Sequence, residues 1–254
     1  PDVLWVAPSR TYPITVPVVI EGATSPRGSN PTIVTNTITA NPSLSIRGSD
    51  VTIRNLKFKN GREQVGFTEW LTKDDFDIER ITIQDCVFDS RGYTGYSMIV
   101  IGNDTTTVDP AYLNKTVRNL TIRDCEFYLD SPGAVYAIYP ILLGMPHEQT
   151  TISGCRFAGG TKQIYSLMTG TVPTDITPYI RKTKIVGNVF GNFGGDYAIN
   201  CISASGEGIT IANNTFTNIY MPSLTGQHVN YLQVRALRFE NNVFTDVAGI
   251  NLYA

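Results

Sequence analysis

The residues best suited to chemistry are few and sit between regular stretches of the chain. Asp74, Asp75 and Asp77 place three carboxyl groups within four positions. Hydrolysis of a glycosidic bond needs two carboxyls about 5–10 Å apart, one to donate a proton and one to act as nucleophile or base. Clustered acids also suit calcium, and a cationic side chain beside such an ion could abstract a proton. Arg235, which alternation places on the outer face of a strand, is the cation that fits this role, although its flanking strands offer Asn200 and Asn251 instead of carboxylates. The candidates for catalysis are therefore Asp74, Asp75, Asp77 and Arg235. Three close acids in a loop read first as solvated charge or a cation site, so no catalytic set is assigned. Asp89 and Asp246 follow strands at positions where turns favour Asp. His147 and His228 are the only histidines, far apart, and read as hydrogen-bonding loop residues with no metal site between them.

A second group suits sugars. Trp70, Tyr93, Tyr96, Tyr112 and Tyr136 lie in long spacers among scattered acids. Aromatic faces stack on the C–H face of a sugar while nearby polar groups bind its hydroxyls. The competing reading is that such rings pad the loops or meet a neighbouring subunit.

What must position these side chains is a repeat. VTIRNLKF at 51–58 recurs from Ile81 (ITIQDCVF), Leu120 (LTIRDCEF), Thr150 (TTISGCRF), Thr183 (TKIVGNVF), Ile209 (ITIANNTF) and Leu237 (LRFENNVF). The first and third places are mostly apolar between polar neighbours, the period of a half-buried strand. The fifth place holds only Asn55, Asp85, Asp124, Gly154, Gly187, Asn213 and Asn241, residues that tolerate a left-handed corner. Place eight is always Phe: Phe58, Phe88, Phe127, Phe157, Phe190, Phe216 and Phe244. Place six, also inward, reads Leu56, Cys86, Cys125, Cys155, Asn188, Asn214, Asn242. Strand, corner, strand is the wall of a coil, and spacers of unequal length put loops on one face. The longest are 60–80, 89–119, 128–149 and 158–182, and loops are where function concentrates.

These repeats resemble the right-handed parallel β-helix of the pectin-lyase-like superfamily, over roughly residues 3–252. That group includes polysaccharide lyases and hydrolases as well as bacteriophage tailspikes and fibres. The resemblance implies an all-β, single-stranded parallel solenoid forming one domain over 1–254, with entry coils over 1–50 and regular coils over 51–254. It leaves activity open, because one fold hosts many functions. The WxDH segment of pectate lyases is absent, and of the polygalacturonase set (NTD, DD, HG, RIK) only Asp74-Asp75 is present.

Closing strands are expected at 97–101, 137–142, 163–168, 198–203, 231–235 and 249–252, and entry strands at 3–6, 18–22, 32–34 and 44–48. Trp5 is expected to cap the open end. The strand at 249–252 has no cap after it, so more chain, another domain or a partner is expected to cover it. A net charge of -2 and a pI near 5.7 leave no basic footprint for nucleic acid. No apolar run is long enough to span a membrane. Cys86, Cys125 and Cys155 read as small buried hydrophobes in one column, and no CxxC spacing points to zinc.

The reading that follows is a phage-type virion structural or host-adhesion protein: tail fibre, tailspike or capsid decoration. It works in an extracellular or virion setting, as a homo-oligomer with other virion subunits as partners. A trimer is favoured, and surface glycans are its ligands. It needs no cofactor. The alternative is a secreted lyase or glycoside hydrolase acting on an acidic polysaccharide, with calcium as a cofactor in the lyase case.

Overall fold

The computed structural model describes residues 3–5, 12–29, 31–35, 42–59, 63–67, 70, 74, 76–91, 98–101, 113–129, 140–159, 164–166, 180–191, 201–219 and 230–247. Residues 3–5, 35, 165, 166, 203, 205, 219 and 230–234 are described by their backbone alone. The first half of each repeat forms one wall: Val18–Glu21, Val51–Arg54, Ile78–Gln84, Val117–Arg123, Thr151–Ser153, Lys184–Val186, Thr210–Ala212 and Arg238–Glu240, paired in parallel from coil to coil. The second half forms a nine-stranded parallel wall from Val3–Trp5 to Val243–Val247. A closing wall runs through Tyr12–Ile14, Leu44–Ile46, Val65–Gly66, Ile99–Ile101, Ile141–Leu143, Ile164–Ser166, Ile202–Glu207 and Asn230–Arg235. The chain is a parallel β-solenoid.

The expected entry strands are present within a residue or two, and Tyr12–Ile14 joins them where no strand was expected. Tyr12 and Pro13 are exposed and Ile14 is buried, so these three residues carry no period-2 alternation that could mark a strand in sequence. The closing strands at 99–101, 164–166 and 230–235 fall where they were expected, whereas those expected at 137–142 and 198–203 lie further along the chain, at 141–143 and 202–207. Residues 249–252 and the side chain of Trp5 lie outside the described set.

The eighth-place phenylalanines form one column. Phe58 pairs with Phe88, Phe88 with Phe127, and so on to Phe244, with ring centroids 4.8–5.0 Å apart and planes within 9°. Strand spacing sets this distance, so the rings stack face over face instead of tilting edge to face. From Phe58 to Phe216 they are fully buried, each worth about 2–3 kcal/mol of hydrophobic burial.

The corners are as expected: Asn55, Asp85, Asp124, Gly154, Gly187, Asn213 and Asn241 have φ between 50° and 65°. At Gly154 a Cβ would come within 2.5 Å of the Asp124 carboxylate, so the corner below also selects glycine there. A second left-handed column was hidden. Asp50, Arg80, Asn119, Gln149, Lys182, Gly208 and Ala236, each just before a repeat, have φ of 52–69°. Arg, Gln, Lys and Ala lack the local compensation of Asn or Asp, and each such residue costs about 1 kcal/mol or more. The flanking strands hold them there. Arg80 is further fixed by a two-pronged ion pair with Asp50 at 2.6 and 2.9 Å.

Candidate functional site

The residues singled out from sequence part company in the structure. Trp70 is fully buried and its indole N–H donates to the Phe76 carbonyl at 2.6 Å. It is a core residue with no ring face open to a sugar, which corrects the sugar-stacking role expected for it. A large ring in a long spacer looks the same in sequence whether it folds inward or outward. Asp75, Tyr93, Tyr96, Tyr112 and Tyr136 lie outside the described residues, as does His228.

Asp74 accepts two hydrogen bonds from the Arg47 guanidinium, at 2.7 and 2.9 Å. Asp77 accepts from the Thr116 amide at 2.7 Å and from Arg118. Both aspartates therefore tie their loop to neighbouring coils. Arg235 ends a column of alternating charge on the outside of the solenoid. Glu79 pairs in register with Arg118, Arg118 with Glu148, Glu148 with Arg181, Arg181 with Glu207, and Glu207 with Arg235. Opposite charges across adjacent strands contribute about 0.2–1 kcal/mol each and help set register. Strand pairing thus gives Arg235 a structural place opposite a carboxylate that sequence alternation alone did not show.

His147, expected in a loop, lies in the strand His147–Glu148 and is fully buried. Its Nδ1–H donates to the Met145 carbonyl at 3.0 Å, and its Nε2 accepts from the Thr183 hydroxyl at 3.4 Å. Burial pushes its imidazole down from 6.5 to about 4, so it is neutral near pH 7. Among the described residues no group of three His, Cys, Asp or Glu side chains is placed to hold a metal ion.

The described residues do build one charged cleft, and the sequence reading missed it. Between Gly22, beside Asn55, and Ile33, paired with Lys57, the chain inserts residues 23–32 where the next coil has only Leu56. Within this arm the Gly28 amide donates to the Ser25 carbonyl at 3.0 Å, closing a turn that Pro26 helps to preset. The turn carries Arg27 over the corners of later coils. Its Nε donates to the Glu126 Oε1 at 2.8 Å and its Nη2 to the Asp124 carbonyl at 2.7 Å.

Residues 26–28 form a roof, and Lys57, Val87, Asp89, Arg91, Glu126 and Tyr128 form the floor, enclosing about 360 Å³. The floor residues come from three successive strands of the second wall, at the seventh and ninth places of their repeats or just beyond. The available signal was spacing: one corner carries a ten-residue arm (residues 23–32) where the later corners carry one residue.

The cleft's charges are largely paired. Arg91 clasps Asp89 at 2.8 and 2.7 Å, and its guanidinium carbon lies 5.2 Å from the Tyr128 ring centre. The Tyr128 hydroxyl donates to Glu126 Oε2 at 2.8 Å. Burial alone would raise both carboxyls. Arg27 and Tyr128 more than offset this for Glu126, and Arg91 and the charge of Lys57 do so for Asp89, so both lie below the usual range. The Tyr128 hydroxyl is pushed up by burial and by Glu126. Two ionised carboxylates accept hydrogen bonds but have no proton to give, so neither supplies the carboxylic acid that glycoside hydrolysis uses.

No protein-family model matches the chain, and a search of curated proteins finds no match.

Proposed function

We propose that this chain is a rigid, non-catalytic β-helix of the phage-type virion structural or host-adhesion kind, akin to the pectin-lyase-like superfamily. In this reading it works as a homo-oligomer, a trimer by preference, in an extracellular or virion setting, and its loop face meets surface glycans. The observation that supports it is the state of the acids: Asp74, Asp77, Asp89 and Glu126 each hold an arginine. Asp74 and Asp77 lock coil to coil and Glu126 locks arm to wall, the work of a shaft. The alternating column from Glu79 to Arg235 adds the same lengthwise stiffening.

The test is a screen of the purified chain on a panel of surface glycans, followed by assays for new reducing ends and unsaturated products on every polysaccharide bound. Binding without product supports the proposal. Product release that Asp74→Asn or Asp77→Asn abolishes would overturn it in favour of a lyase or hydrolase.

A further inference from the structure

We infer that the cleft under the arm of residues 23–32 is a binding site for a small hydroxylated anion, such as a sugar acid or a sugar phosphate. Its volume, about 360 Å³, lies at the small end of the range for ligand pockets and suits one sugar-sized ring. The charges that line it are Arg27, Lys57 and Arg91 against Asp89 and Glu126, a surplus of one positive charge. Two of the three cations are held in pairs, Arg27 by Glu126 and Arg91 by Asp89. The Lys57 ammonium makes no hydrogen bond or ion pair among the described residues, and only its field is felt, at Asp89. It therefore presents three donors and one charge toward the cleft.

The acceptor side is equally defined. A carboxylate has about four lone-pair positions. Glu126 accepts from Arg27 on one oxygen and Tyr128 on the other, which leaves capacity on both. Asp89 accepts from Arg91 on both oxygens and likewise keeps capacity on Oδ2. Because both groups are ionised, a ligand must bring the hydrogens. One anionic group meets the Lys57 ammonium, and flanking hydroxyl donors meet the open lone pairs of Asp89 and Glu126. An apolar ligand would strand these charges, and a bare anion would face two carboxylates with nothing to donate.

The arm is the selecting element. It exists at one corner, and Arg27 pins its tip three strands along the second wall. The cleft is therefore preformed, and little ordering is left for a ligand to drive.

Titration of the intact chain with glucuronate, glucose 6-phosphate, glucose and inorganic phosphate, followed by calorimetry and by NMR shifts of the 57, 89 and 126 amides, tests this. Glucuronate, glucose 6-phosphate or both should bind and move those amides. Glucose and inorganic phosphate should bind at least about tenfold more weakly, since each lacks one half of the recognition. Lys57→Gln, on the outer face of a strand, should weaken binding about tenfold or more with the melting temperature unchanged. Val243→Gln, on the same face far from the arm, should leave binding alone. Binding of glucose as tight as that of the anions, inorganic phosphate binding as tight as the hydroxylated anions, full affinity in Lys57→Gln, or no binding by either hydroxylated anion would each overturn the inference. None of these outcomes touches the shaft proposal, which the product assays decide separately.

Discussion

One inner column of the solenoid is built from two chemistries, and comparing them shows what the coil requires. In the first coils the place after the corner is Leu56, then Cys86, Cys125 and Cys155; in the later coils it is Asn188, Asn214 and Asn242. Both halves aim at the same target, the wall carbonyl of the preceding coil. The thiols reach it only loosely, with Cys86 Sγ 3.9 Å from Ile53 O, Cys125 3.7 Å from Ile83 O and Cys155 3.8 Å from Ile122 O. The asparagine amides reach it at full strength, 3.0 Å to Ile152 O, 2.9 Å to Ile185 O and 3.0 Å to Ile211 O.

The asparagines do a second thing the cysteines do not. Each side-chain oxygen accepts the backbone N–H of the coil before it: Cys155 to Asn188 at 2.9 Å, Asn188 to Asn214 at 2.9 Å, Asn214 to Asn242 at 3.0 Å. Amide N–H groups then link rung to rung, at 3.1 and 3.0 Å. The corner turns its backbone groups inward where water is absent, so something must meet them. The later half does so with a continuous ladder. The earlier half packs a small polarisable atom into the space instead. Identical backbone geometry thus tolerates either solution, but within this column the asparagines link side chain to side chain from coil to coil, at 3.0–3.1 Å.

The largest expected effect comes from breaking that ladder. Asn214→Leu removes the acceptor of the Asn188 backbone N–H and of its side-chain amide and the donor to the Ile185 carbonyl and the Asn242 oxygen, four hydrogen bonds in all, and should cost about 4 kcal/mol in urea unfolding. A loss below about 1 kcal/mol would mean the ladder contributes little beyond packing. Next is the buried His147, near where the two chemistries meet. The unfolded chain protonates near pH 6.5, whereas the folded imidazole stays neutral to about 4. Its contribution is therefore fully present above pH 6.5 and is lost as pH falls to 4, by about 3 kcal/mol at the bottom of that window. His147→Gln should flatten the stability profile between those values, leaving the carboxylate losses at lower pH.

Cys125→Ala should cost only about 1.5 kcal/mol, the burial of one sulfur and its weak bond to Arg123 O at 3.2 Å. Smallest, and opposite in sign, is Cys155→Asn. The new amide would face the Ile122 carbonyl, the Asn188 oxygen and the Cys125 N–H, lengthening the ladder by one rung and raising stability by about 1 kcal/mol. Destabilisation by the same change would show that the first half is shaped for sulfur.

The phenylalanine column, the Asn/Asp/Gly corner and most strands could be read from the sequence, because each rests on residue type at fixed spacing. The second corner could not: Arg80, Gln149, Lys182 and Ala236 are left-handed through the pull of flanking strands, which no local propensity records. Trp70 shows the same limit for burial, and the Glu79-to-Arg235 column appears only once register sets strands of unequal spacing side by side. The cleft was hidden for a related reason. Arg27 and Glu126 are 99 residues apart, and nothing but the solenoid's three-dimensional path makes them neighbours.

The later coils form one hydrogen-bonded column. Hydrogen exchange of the asparagine side-chain amides by NMR tests it most directly. The Nδ2 protons of Asn188 and Asn214 should exchange only through global unfolding, with protection equal to that of the flanking strand amides. Exchange of these protons as fast as that of the exposed corner amide Asn213 would contradict it.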